Sequence, residues 1–135
     1  MKKQQPLLLV NNPTSIISTD CIELYFGYTH PSANQYMRWH WAKRKEAVDE
    51  WHWLVKVALK GQKIIFKKPV ISSDYYFTDN RERDRGNFVP KFTIDALVKE
   101  GVIPGDSCKS IVEEMPNIHL KQQYKGLKIT IKEAV

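Results

Sequence analysis

Apolar and polar residues alternate from Cys21 to Tyr28, with Ile22, Leu24 and Phe26 set against Cys21, Glu23 and Tyr25. A period of two predicts a β-strand with one buried face. His30-Pro31-Ser32-Ala33-Asn34 then breaks the pattern with turn-forming residues. From Tyr36 onward the period lengthens, and Trp41, Val48, Trp51, Leu54, Val55 and Ala58 define one stripe of a long helix. Lys45, Asp49, His52, Lys56 and Lys60 lie opposite, and Gly61 marks the stop. Trp39 and Trp53 fall off or at the edge of the stripe, where partial burial at a rim is the favoured expectation and base stacking the alternative.

Lys63 to Phe66 and Val70 to Phe77 read as strands. Pro90 suits the first position of a short helix carrying Phe92, Ile94, Ala96, Leu97 and Val98, with Gly101 as its terminator. Ile111 to Met115 reads as another strand, and Leu127 to Lys132 alternates apolar and polar residues to close the sheet. This order predicts an α+β fold: a single two-layer domain whose mixed or antiparallel sheet of about four to five strands packs with one long and one short helix. Residues 1–20 are expected to form an N-terminal arm or edge segment, and residues 21–135 the domain proper.

Composition sharpens the picture. A chain of 135 residues with 42% hydrophobic and 27% charged residues has the material of one folded domain, which argues against disorder. The net charge of +6 and a pI near 9.3 favour a polyanionic partner through counterion release, although many basic proteins bind no nucleic acid. Lys2-Lys3 followed by Leu7-Leu8-Leu9-Val10 is too short an apolar run for a secretory signal, and no run approaches the roughly 18 apolar residues of a membrane span. The expectation is a cytoplasmic protein with no membrane partner. Cys21 and Cys108 lack C-x-x-C spacing and are expected as reduced thiols; His30, His40, His52 and His119 show no i, i+4 pair that would suggest a histidine metal site.

The densest chemistry runs from Arg81 to Ser107. If Arg81-Glu82-Arg83-Asp84-Arg85 stays extended, the three arginines share one face and the two acids the other, one suited to phosphates and one to a cation. Lys91 and Asp95 are four apart on a helix, which equally suits an ion pair worth a few tenths of a kcal/mol. Pro104 and Gly105 form a tight connection that exposes Asp106, either as a turn cap or as a metal ligand. Upstream, Lys43-Arg44-Lys45 with Arg38 and His40 crowd a helix start; such a charge run is usually a solvated face, but the helix dipole disfavours the placement and a phosphate would offset that.

The run Arg83-Asp84-Arg85-Gly86-Asn87-Phe88, then Lys91, Asp95-Ala96-Leu97, Gly101-Val102-Ile103 and Asp106-Ser107, resembles the core motif of the RusA-type endodeoxyribonucleases, the Holliday-junction resolvases of phages and prophages. The segment from Pro31 through Arg38, His40-Trp41 and Lys43-Arg44-Lys45 is similar to the N-terminal part of phage members, so the likeness spans roughly residues 22–132 in order. It implies a structure-selective DNA endonuclease that uses Mg²⁺ or Mn²⁺ on branched or duplex DNA and works as a homodimer. It also implies Asp84 and Asp106 as metal ligands, Lys91 as the third catalytic group, Asp95 as a group orienting Lys91, and Asn87 as part of the motif. DNA contacts fall to Arg38, His40, Lys43, Arg44, Arg81, Arg83 and Arg85. Two departures stand out: Gly86 replaces the aspartate expected two residues after Asp84, and Gly105 replaces the first aspartate of the closing pair. Glu82 and Glu113 are the nearby carboxylates that could substitute. The alternative reading is a junction-binding protein of the same fold that has lost cleavage; a basic interaction domain without a nucleic-acid role is more distant.

Overall fold

The computed structural model describes residues 13–107 and 109–134. Residues 1–12, and with them most of the expected arm, lie outside the described residues, as does Cys108, one of the two thiols. The elements in chain order are β1 (Thr14–Ile17), β2 (Cys21–Phe26), α1 (Ala33–Tyr36), α2 (Trp41–Leu59), β3 (Pro69–Tyr76), α3 (Lys91–Lys99), β4 (Val112–Glu113), β5 (Asn117–His119) and β6 (Gly126–Glu133). The sheet runs β1-β2-β6-β3-β4, and β5 pairs β3 further along the same edge as β4. Pairings from β1 through β3 are antiparallel, whereas β4 and β5 lie parallel to β3, so the sheet is mixed and the two-layer α+β expectation holds.

The period-two pattern becomes rows across the sheet. Ile22 lies beside Ile131 and Ile131 beside Ile71; Leu24, Ile129 and Ser73 form the next row, and Phe26, Leu127 and Tyr75 the third. The apolar members of these rows join Trp51, Leu54, Val55 and Ala58 of α2 and Phe92, Ile94, Ala96 and Leu97 of α3 in one core. Each leucine, isoleucine, valine and phenylalanine among them contributes about 1.5–3 kcal/mol on leaving water. The opposite sheet face is polar: Lys128 stands between Tyr25 and Asp74 in register and pairs with Glu23 at 3.2 Å.

Several expectations are corrected. Lys63 to Phe66 makes no ladder; Phe66 drops into the core and its N–H donates to Val102 O at 2.8 Å, so the segment is a strap over α3's exit. The strand expected over Ile111 to Met115 shrinks to the two residues of β4, because only Val70 and Ile71 face it on β3. The Pro31 to Asn34 turn carries α1, closed by a capping box between Ser32 and Gln35, and β5 forms where no alternation marks it. Trp41 leaves the predicted stripe and is 70% exposed, while Ala47 and Leu59 enter the buried face.

The N-terminus of α3 is capped from a distance. Pro90 precedes the helix rather than opening it and makes no side-chain cap. Instead Nε2 of His30, which is 1% exposed, accepts from Phe92 N at 3.0 Å, while its Nδ1 bonds Pro31 O at 2.7 Å. At the other end Gly101 adopts φ +75°, Val102 N bonds Leu97 O and Gly101 N bonds Val98 O, the paired bonds of a Schellman stop.

Candidate functional site

Beyond Tyr76 the chain leaves the sheet, and the Arg81 to Arg85 run is shaped by one ion pair. Arg83 donates from Nη1 to Asp79 Oδ1 at 2.7 Å and from Nη2 to Oδ2 at 3.0 Å, while its guanidinium lies 3.7 Å from the centroid of the Phe77 ring. This bidentate contact, with Arg81 N–H adding a third bond, holds the Asp79 carboxyl well below the usual carboxylate range. Arg83's side chain is 9% exposed, so its charge is spent inside the loop. The three arginines therefore do not share one solvent face. Arg81 is exposed, and Arg85 opens a 3-10 turn over Arg85–Asn87. Asp84 caps that turn, its Oδ1 accepting from Gly86 N at 3.0 Å.

This loop forms one wall of an open cleft of about 780 Å³. The other walls come from the turn after β2, from α1 and its exit, and from Lys125. Cationic Arg38, Arg81, Arg83 and Lys125 line it together with Asp79, Glu82 and Asp84. Asn87 Oδ1 accepts from Asn34 N at 2.9 Å and so ties α1 to the turn that carries Asp84. His30 lies on the cleft wall while holding the first turn of α3, which places the start of that helix behind the cleft.

Lys91 opens α3 and lies 4.0 Å from Asp95. Asp106 is exposed on the loop beyond Gly101, ahead of a turn closed by the Ser107 and Ser110 hydroxyls at 3.1 Å. Glu113 sits on β4, and although the residue is exposed, protein atoms crowd its carboxyl. That partial desolvation, and then repulsion from Asp106, raise its pKa, while Lys91 acts in the opposite direction. Glu113 thus senses the charges of Asp106 and Lys91, whereas Asp84 lines the cleft.

A pair of neighbouring carboxylates suits a hard divalent cation, because Mg²⁺ is commonly held by one or two carboxylates with water and substrate phosphate filling the other positions. Among the described residues no three histidine, cysteine, aspartate or glutamate side chains converge on a common point. Asp106 is near enough to Glu113 for its charge to act there, and among the described residues a cage of three or more such protein ligands does not fit.

The basic segment ahead of α2 is organised by local contacts. His40 caps α2 through Nδ1, accepting from Ala42 N at 3.3 Å. The Lys43 ammonium sits 4.6 Å from the Trp39 ring centroid, and Arg44 Nε donates to Trp39 O at 3.3 Å. The contributions of Lys125, Asp79 and His30 escape a reading of the sequence. Of these, only the four-residue spacing of Asp79 and Arg83 is a local signal. No protein-family model matches this chain, and no curated protein is significantly similar to it. No helix among the described residues is long and apolar enough to cross a membrane.

Proposed function

We propose that this chain binds branched DNA and cleaves it with Mg²⁺ or Mn²⁺, in the manner of the RusA-type endodeoxyribonucleases that its motif resembles. The observation that carries the reading is Asp84 on the wall of a cleft that Arg38, Arg81 and Lys125 share with Glu82 and the Asp79–Arg83 pair, beside the helix that presents Lys91. Cations along a groove neutralise phosphates and draw a nucleic-acid backbone in, and carboxylates set among them are the material of phosphodiester hydrolysis. Asp106 and Glu113 would hold the cation, which when bound activates water and neutralises charge on the phosphate. Lys91 donates to the oxygen on which charge develops, and Asp95 at 4.0 Å restrains its ammonium. A homodimer would present two such sites to a two-fold junction.

A second reading, junction binding without cleavage, is favoured by the lack of a three-ligand group among the described residues and by glycine at positions 86 and 105. Incubation of the protein with a labelled four-way junction, with and without Mg²⁺, decides between them. Metal-dependent incision that Asp106→Asn abolishes without loss of binding is the expected result. Binding with no incision in either metal supports the second reading, and no binding at all overturns both.

A further inference from the structure

The segment from Met37 to Arg44 presents an apolar surface that the fold leaves open. Trp41 is 70% exposed and Met37 69%; Trp53, Ile65 and Met115 are exposed as well, but Trp41 is the indole that stands in the basic segment. An indole has a large apolar area to bury, so a largely exposed one set among cations is a candidate contact surface. The surroundings are cationic. Arg38, Lys43 and Arg44 lie in the same segment, and no acidic residue stands in the first turn of α2. Lys43 already uses the face of Trp39, at 4.6 Å, whereas the Trp41 ring meets His40 at a tilt of 40° and 5.5 Å. Arg38 joins this patch to the cleft, since it also lines the cavity that holds Asp84.

An aromatic ring standing in water among cations complements a polyanion that carries exposed π-faces. Duplex DNA hides its bases in the stack, and a single strand offers them beside its phosphates. We propose that Trp41 is a stacking platform for unpaired bases, and that Arg38 and Arg44 hold the phosphates flanking them. At a branched substrate it would engage nucleotides opened beside the branch point while the cleft holds the duplex arm. The proposal rests on the nucleic-acid reading of the cleft and gives the substrate its single-stranded character.

The test compares wild type, Trp41→Ala and Trp53→Ala by fluorescence anisotropy on dye-labelled oligothymidine, a continuous duplex and a four-way junction. Trp53 is 62% exposed on the same helix, three turns away, and serves as the control. Trp41→Ala is expected to lose about tenfold or more in affinity for oligothymidine, to lose affinity for the junction, and to keep its duplex affinity within about twofold. Thermal melts of all three proteins should coincide, because both indoles stand in solvent. Unchanged affinity of Trp41→Ala for oligothymidine refutes the platform while leaving DNA binding at the cleft intact. An equal loss in Trp53→Ala refutes it too. Weakened self-association of Trp41→Ala in sedimentation, with oligothymidine binding unaltered, makes the patch a contact between copies. Wild type that binds none of the three DNAs refutes the cleft reading and the platform together.

Discussion

His30 is the most demanding test of the packing described above. Its ring is enclosed by Tyr36, Trp51 and Phe92, with centroids at 6.1, 5.5 and 4.9 Å. Phe92 N can only donate and Pro31 O can only accept, so Nε2 must be the bare nitrogen and Nδ1 must carry the proton. Protonating Nε2 would break the bond to Phe92 and bury a cation at a helix N-terminus. Burial accordingly pulls the pKa down from 6.5 to about 4, with the Pro31 carbonyl opposing weakly. Because the folded value lies below the unfolded one, the unfolded chain takes up the proton first. The stabilisation is therefore complete above about pH 6.5 and is lost as pH falls toward about pH 4. Between about pH 7 and about pH 4.5 the shift corresponds to about 2 kcal/mol of lost stability. Carboxylates titrate in the same range, so the measurement is a difference of differences: urea unfolding of wild type and His30→Gln at both pH values. Glutamine keeps an acceptor and a donor but does not titrate, and it is expected to be less stable near neutrality through lost ring packing. Its stability should nevertheless fall by about 2 kcal/mol less on acidification. Parallel losses in the two proteins would falsify the buried neutral imidazole and the capping role with it.

Arg81 and Arg83 should separate binding from stability. Arg81→Ala is expected to flatten the salt dependence of duplex binding by about 0.9 log unit per log unit of salt with no change in melting temperature. Arg83→Ala, which removes the Asp79 pair and the contact over Phe77, should lower the melting temperature in thermal denaturation. At Gly86 the backbone has no positive φ and a Cβ would meet Asp84 Oδ1 at 3.5 Å, so Gly86→Asp should fold normally and keep the wild-type melting temperature in thermal denaturation. Gly105→Asp meets Ser110 Oγ at 3.0 Å and is expected to cost about 1 kcal/mol in urea unfolding unless Ser110 turns away.

The elements that could be read along the chain are those whose signal is local. Ile22, Leu24 and Phe26 in β2, and Leu127, Ile129 and Ile131 in β6, alternate because a pleated strand buries every second side chain, and each strand declares this without its partner. The body of α2 and the Gly101 stop of α3 are equally local, one a period near four and the other a backbone angle that glycine accepts at little cost. The motif from Asp84 to Asp106 was legible as a set of residue types at fixed spacings. Its geometry was not, because Arg83 finds Asp79 and Phe77 rather than solvent, and the pairing of β4 with β3 brings Glu113 within the electrostatic influence of Asp106 and Lys91. Trp41 shows the limit of periodicity: it is in phase with the buried stripe, but it stands at the first residue of α2, where its indole is left in solvent. His30 shows the same from the other side, since its role depends on Phe92, 62 residues away, and a contact of that range is decided by how the layers pack and by nothing in the adjacent sequence.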